Sequence, residues 1–520
     1  MRSPGQRILR STALLMGLTL TAKATGLLRD IIVAAQFGTS YQMDAFFVAG
    51  TIGSLMFVWL RGPIRVVLVP IFTEELTTRG ERSAWENASI LINTSIILLL
   101  ILAGIGWLLS PYLVWLVAPG FTEETTILSI DLTRLMMLTL VFLGLAKLFS
   151  ALFHSYQRFG LPGITSTVDN LVVIPSIIFL TPLVGIHGLV ISAVLGTIAQ
   201  ALIQTPILWK NRSYYKPRIN LRNPTLRRMA RISLPLFIGV GGTRLGKVTD
   251  RIFASLLQPG SLSALAYGHQ LTYTILEFLV ASLTTVLFPF FSKTAGLQGY
   301  TELRKKLFKS LRTLFWIIFP LSIGILLLHE PLVRLVYHRG AFNEESLRLT
   351  SQAVFFYAIG LSAYSLSSVL SYTFFSLQDT KTPVVLGLVR LGIKIFLSVS
   401  LVGAMAHAGL ALAESLSFVV KAALLLFFLP REIREAEYLK VFQSFGVTVV
   451  ITGAMGAVLL FILPILERVF VVGASLVATS MGVGTAIAVG AGTYLIFSLL
   501  LQPTEIKDLF RFVRTGFGKP

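Results

Sequence analysis

Residues 19–50 read TLTAKATGLLRDIIVAAQFGTSYQMDAFFVAG, the first membrane-length apolar segment and the start of the second. The stretch can enter a bilayer, yet it carries Lys23, Arg29, Asp30 and Asp44. On insertion scales a charge near the bilayer centre costs roughly 2.5–3.5 kcal/mol, so such residues normally face a bundle interior or a water-filled cavity. These four side chains therefore predict a polar cavity.

The rest of the composition agrees with a membrane setting. Of 520 residues, 54% are hydrophobic and 13% charged, with a mean hydropathy of +0.79. Such a chain cannot cover a soluble surface and reads as a polytopic membrane protein. A formal net charge of +20 would suit nucleic acid, but the basic residues fall mainly in short connections between apolar runs. That is the positive-inside pattern, so no nucleic-acid partner is expected. The absence of cysteine excludes disulfides, thiol catalysis and thiolate metal sites.

Runs long enough to span, about 20 residues each, centre near residues 25, 55, 100, 143, 173, 197, 244, 278, 322, 361, 393, 417, 451 and 487. They predict an all-α fold with about 14 transmembrane helices, the runs near 55 and 173 being interrupted by proline. Basic clusters at the N-terminus, Lys210 to Arg231, Lys293 to Arg312, Arg431 to Lys440 and Lys507 to Lys519 then share one side. That side is cytoplasmic, and both termini belong to it. Opposite connections such as APGFTEETT (118–126) and SLLQPGSLS (255–263) are almost free of Lys and Arg.

An internal repeat is visible. FHSYQRFGLPG (153–163) and FFSLQDTKTPV (374–384) place Gln157 over Gln378 and Pro162 over Pro383 at a shift of 221. The same shift takes Gly188-Leu189 to Gly409-Leu410 and Phe121 to Phe342, and a shift of 220 takes Gly26 and Asp30 to Gly246 and Asp250. Six helices return the chain to its starting side, so the halves should be parallel. The expected organisation is an N-lobe at 1–210 (helices 1–6), a basic cytoplasmic linker at 211–225 and a C-lobe at 226–430 (helices 7–12). Helices 13 and 14 with a basic tail, at 431–520, fall outside the repeat. Two six-helix lobes would enclose a central cationic cavity.

Further charges lie within predicted spans. Arg244, Lys247 and Arg251 share a helical stripe, with Asp250 to its side. Lys147, Asp169, Glu277, Arg390, Lys394, Glu414 and Lys421 add to the set, in which cations outnumber anions. Such a cavity suits an anion, arginine gripping phosphate oxygens in bidentate fashion and lysine acting as a point charge. Simpler readings stand beside this one. Arg61, Arg65 and Lys421 also read as residues snorkelling from helix ends. Arg251 also reads as an ion pair with Asp250 or Glu277, and Arg29 with Asp30 as a local packing pair. The six histidines show no metal-ligand spacing. GVGG at 239–242 permits close helix approach or a kink and does not signal a nucleotide loop.

The opening motifs G-x-x-R-D, F-G and D-A-F-F-V-A, carried by Gly26, Arg29, Asp30, Phe37, Gly38 and Asp44 to Ala49, resemble the signature of the MurJ (MviN) family. That family flips lipid II, the undecaprenyl-pyrophosphate-linked peptidoglycan precursor, across the bacterial inner membrane. The similarity continues through VPIF (69–72), VAPGF (117–121), QRFGLP (157–162), YGHQL (267–271), FPFFSK (288–293), HRGAF (338–342), QDTKTP (378–383) and HAGLALAESL (407–416). Arg2, Arg7 and Arg10 ahead of Ala22-Lys23-Ala24 have the shape of a signal peptide. The signature runs through that cut, so cleavage is not expected.

The resemblance implies the fold of the multidrug and oligosaccharidyl-lipid exporters, alternating access, a lipid-linked saccharide pyrophosphate as substrate, and membrane lipids and cell wall synthesis proteins as partners. It also implies that Arg29 is an essential cavity arginine, that Lys23 stands where the family more often has arginine, and that Asp44 is a functional aspartate. Two positions depart from the family: its cavity arginine at the end of the second helix is Phe57 here, and the arginine of Y-x-x-R-L is Gln270. Arg61, Arg65, Arg244, Lys247 and Arg251 either compensate from new positions or shape the cavity for a different glycan.

Three function classes follow: a flippase for lipid II or another undecaprenyl-linked glycan, such as an exopolysaccharide precursor; an ion-coupled drug exporter; and a membrane enzyme on the same lipid. The excess of cations disfavours the second, and outer connections too short for a catalytic domain disfavour the third. No cofactor is expected. No ATP site and no convincing cation site can be read, which leaves the membrane potential or an ion gradient as the energy source.

Overall fold

The structure is a computed structural model, and it describes residues 4–63, 67–220, 222–224, 227–228, 231, 245–297, 299–434, 438–470 and 475–502. Every regular element among them is helical. The chain divides into two compact units, Met1–Leu262 and Ser263–Pro520.

The first unit contains α1 (Pro4–Phe37), α2 (Tyr41–Pro63), α3 (Val69–Thr78), α4 (Gly80–Leu108), α5 (Ser110–Val117), α6 (Glu123–Ser155), α7 (Gly160–Val184), α8 (Ile186–Leu202), α9 (Pro206–Lys210) and α10 (Leu245–Ser255). Its centre is α6, which packs on α2, α4 and α8, while α7 packs on α1 and α8. Helix α11 (Ser261–Leu297) begins the second unit, followed by α12 (Gly299–Leu327), α13 (His329–Tyr337), α14 (Glu344–Ser376), α15 (Lys381–Phe427), α16 (Arg431–Arg434), α17 (Tyr438–Val469) and α18 (Leu476–Leu501). Here α14 is central, packed on α12 and α15.

The repeat read from the sequence is present in the backbone. Helices α6 and α14 are both 33 residues long and start 221 positions apart. Each begins in the same way: the side chain of Thr122 accepts from the Thr125 amide and that of Asn343 from the Ser346 amide, with two glutamates in the first turn of each helix. A capping oxygen satisfies an amide left open by the helix, and the carboxylates suit the positive end of its dipole. Helices α4 and α12 are both 29 residues long, each starting at a glycine of positive φ, Gly80 and Gly299. Gln157 and Gln378, matched in the sequence, adopt φ of 56° and 64°.

The next turn is shared too. Gly185 (φ 58°, ψ −138°) separates α7 from α8, and Ala406 (φ 48°, ψ −132°) breaks α15 into two limbs at the position 221 residues on. Behind it, a Cβ on Gly188 would lie 2.7 Å from the carbonyl carbon of Leu180, and one on Gly409 would lie 2.7 Å from the carbonyl oxygen of Leu401. Only glycine allows that approach of two helices.

Nine helices among the described residues are long and apolar enough to cross a membrane, the two limbs of α15 being counted there as one. The runs expected near residues 25, 55 and 278 form α1, α2 and α11, which are outside those nine, and the run near 244 falls largely outside the described residues. Large apolar side chains such as Leu98, Ile101, Trp107, Phe396, Phe461 and Leu500 are exposed along these helices, as a hydrocarbon solvent requires. Their interiors carry hydroxyls, and Ser351, Ser365, Ser371 and Thr373 of α14 each donate to the carbonyl four residues back.

Helices α17 and α18 have no counterpart among the described helices of the first unit. They pack on each other and on α12 through Trp316, Ile451, Met455, Leu459, Ala486 and Tyr494. The Tyr494 hydroxyl donates to the Trp316 carbonyl at 2.7 Å, and the Trp316 indole donates to Ser498 at 3.2 Å.

Candidate functional site

The charges of residues 19–50 separate into two groups within the first unit. In one, Arg29 of α1 donates to a single oxygen of Asp30 through Nη2 (3.0 Å) and Nε (3.2 Å). Its Nη1 donates to the Asn170 side-chain oxygen on α7 at 3.2 Å. The local pair weighed for Arg29 and Asp30 is therefore present, and it is tied to a second helix.

Asn170 is the hinge of this group. It is buried, and its amide nitrogen donates back to the Ala22 carbonyl (3.1 Å) and to the Thr25 hydroxyl (3.0 Å) on α1. The adjacent Asp169 faces Gln200 of α8 and lies within reach of the charges of Arg29 and Lys147. A polar tract thus runs across α1, α6, α7 and α8. Arg29 keeps 34% of its side chain accessible and Asp30 16%, so the guanidinium is anchored without being sealed. Lys23, less than two turns before it, is exposed.

The second group surrounds Asp44. Only 3% exposed, Asp44 accepts from the Gly260 amide at 2.6 Å, in the turn that leads into α11. Gly260 has φ 90°, a conformation glycine takes without strain. Phe47 and Thr51 follow Asp44 on the same face of α2. Arg251 of α10 lies over the Phe47 ring, 5.5 Å from its centroid, and donates from Nε to the Thr51 hydroxyl at 3.2 Å and from Nη1 to the Leu262 carbonyl at 3.3 Å. One turn away, the Gly120 amide donates to Ser255 at 3.1 Å. The last residues of the unit are thereby fastened to α2 and to the 118–121 connection.

Of the remaining residues singled out from the sequence, Lys247 is exposed on α10 and Asp250 is half-buried beside Arg251. Gln270 is exposed on α11. The Arg61 side chain, with Arg65 and Arg244, lies outside the described residues. Phe57, where the family resemblance calls for arginine, is buried. Asn170 and Gln200 were not singled out, although an amide beside Asp169 in an apolar run is a signal of the same kind as the charges.

The lipid II flippase MurJ family model matches residues 33–481. The chain belongs to the MurJ family. A lipid II flippase MurJ from Burkholderia cenocepacia is 27% identical over 430 residues, covering 80% of this chain and 83% of that protein. A probable lipid II flippase MurJ from Vibrio cholerae is 26% identical over 444 residues, covering 81% and 82%. Among solved structures, a lipid II flippase MurJ in an inward closed conformation matches with a TM-score of 0.78 at 22% identity, covering 95% of this chain and 100% of that one. An inward-facing MATE transporter of the MOP superfamily matches with a TM-score of 0.64 at 14% identity, covering 85% and 98%. At those identities the structural likeness is one of fold. MurJ proteins are transporters and not enzymes, and with its apolar helices this chain is an integral inner-membrane protein.

Proposed function

We propose that this MurJ-family chain moves lipid II from the inner to the outer leaflet of the cytoplasmic membrane by alternating access, for peptidoglycan synthesis. Beyond family membership, the reading rests on Arg29, a guanidinium within the membrane-spanning bundle shared between a carboxylate and a neutral amide. A pyrophosphate offers more charge and more oxygens than Asp30 and can replace it in bidentate fashion. Lys23, Asp30, Arg61, Arg65, Arg244, Lys247 and Gln270 complete the proposed cavity. Asp44 and Arg251 hold a contact that opens during the cycle.

In this reading the chain has about 14 spans, with two parallel six-helix lobes at 1–210 and 226–430 joined by the basic 211–225 segment. Helices in 431–520 are additional, both termini are cytoplasmic, and cell wall synthesis proteins are the partners the role implies. Outward movement of an anion across an inside-negative membrane gains about 2.3 kcal/mol per charge per 100 mV, enough to bias transport or reset a cationic carrier.

The test is exposure of labelled lipid II on the outer leaflet of cells depleted of their own flippase and supplied with this chain. Exposure is expected with the unmodified chain and not with Arg29→Ala at equal membrane abundance; full exposure with the variant overturns the role of Arg29. Phe57 and Gln270, in place of the family's arginines, favour a second reading, another undecaprenyl-linked glycan. No lipid II exposure from the correctly inserted unmodified chain selects it.

A further inference from the structure

The two limbs of α15 carry a group of charges that the reading above does not use. Arg390 and Lys394 share a face of the first limb. Glu414, Ser417, Phe418 and Lys421 form one stripe of the second. The two carboxylate oxygens of Glu414 are divided: one meets the Lys394 ammonium at 2.6 Å, the other Nη1 of Arg390 at 3.3 Å. Nη1 of Arg390 also donates to Ser417 at 3.3 Å, and the guanidinium carbon lies 4.3 Å from the centroid of the Phe418 ring.

The two cations are held differently. Lys394 has 2% of its side chain exposed and is consumed by Glu414, whereas Arg390, at 16%, bonds only through Nη1 among the described residues. Lys421, half-buried and within electrostatic reach of Arg390, has no hydrogen-bond acceptor among the described residues. Three cations thus face one carboxylate. Glu277 of α11, whose charge reaches Tyr364, forms no ion pair among the described residues, and counting it still leaves an excess positive charge. His269, within electrostatic reach of Glu414, supplies no negative charge.

The repeat shows that packing does not require these cations. At the shift of 221, Arg390 corresponds to Asp169, Lys394 to Val173, Glu414 to Ala193, Ser417 to Gly196 and Lys421 to Gln200. In the first unit the same pair of helices sets Asp169 facing the uncharged Gln200. Arg390 contacts Ser417 and Phe418, one turn before Lys421 on the same stripe, and two cations within electrostatic reach of each other inside the bundle call for an anion. The geometry points to a phosphate-binding subsite formed by Arg390 and Lys421 in the second unit, with Lys394 and Glu414 fixing the orientation of Arg390. This rests on the flippase reading in one respect: the phosphate is assigned to the substrate lipid. An anionic phospholipid head group carries the same chemistry, and the test separates the two.

The experiment uses the purified full chain in detergent, with undecaprenyl pyrophosphate and phosphatidylglycerol as probes, and compares the unmodified protein with Lys421→Gln, Lys421→Arg and Arg29→Gln. A charge-assisted hydrogen bond of ordinary strength predicts about ten-fold weaker undecaprenyl pyrophosphate binding by Lys421→Gln. Retention by Lys421→Arg, unchanged phosphatidylglycerol binding and an unchanged unfolding temperature are expected with it. Loss of phosphatidylglycerol binding alone overturns the assignment to substrate, and no change for either probe makes Lys421 a snorkelling residue and overturns the subsite. If the unmodified chain fails to bind undecaprenyl pyrophosphate, or Arg29→Gln binds it undiminished, the flippase reading is at fault. The Lys421 comparison with phosphatidylglycerol then still decides the subsite.

Discussion

Arg29 divides its guanidinium between two unlike partners, and the difference matters more than either bond. Asp30 neutralises it, while Asn170 only orients it, leaving the pair able to exchange a carboxylate for a substrate phosphate. Converting the amide to a second carboxylate should arrest that exchange. Asn170→Asp is expected to lower lipid II exposure about ten-fold, the low end of the range for one hydrogen bond to a charged group, and to lower the unfolding temperature somewhat, because a buried carboxylate cannot donate to the Ala22 carbonyl as the amide does. Undiminished transport in the folded variant would reduce Asn170 to a packing residue. The charges themselves were legible in the sequence, because an ionised group in an apolar run stands out at once. Their partners were not: Asn170 lies 141 residues from Arg29, and only the register of α7 on α1 joins them.

At the scale of the element, the repeat was legible from Gln157 and Gln378, yet its most telling turn was hidden, because Gly185 and Ala406 do not match as residues. Side-chain identity does not report φ, and only the backbone shows that both adopt the same conformation. In that conformation a non-glycine residue carries of order 1–3 kcal/mol of strain, against which glycine costs roughly 0.4–1 kcal/mol of unfolded-state entropy. Ala406→Gly is therefore expected to stabilise the protein by about 1 kcal/mol, and Gly185→Ala to destabilise it by a similar amount, read from unfolding temperatures in detergent. The reverse of both signs, Ala406→Gly destabilising and Gly185→Ala stabilising, would show that the turn relaxes in solution. The same sequence pattern also predicted a break between residues 393 and 417, and Ala406 is where the chain turns.

At the scale of the molecule, the last residues of the first unit fasten to α2 and the 118–121 connection through Gly260, Arg251 and Ser255. A Cβ on Gly120 would lie 2.6 Å from the Ser255 carbonyl oxygen and 2.7 Å from the Leu256 Cα, so Gly120→Ala must push α10 away. In a chain without cysteine, Thr51→Cys provides a single reporter. Its labelling by a water-soluble maleimide is expected to rise several-fold when Gly120→Ala is added, and an unchanged rate would mean that the contact adjusts without opening. A sequence cannot reveal such a fastening, since Asp44 shows its charge but not the backbone amide it meets. The copied backbone carries a different lesson. Because α7 with α8 and the two limbs of α15 follow one path while holding opposite chemistry, the chain in effect keeps a spare of its own scaffold. One copy can hold the fold while the other drifts in charge, so a change of cargo asks for new side chains and no new architecture.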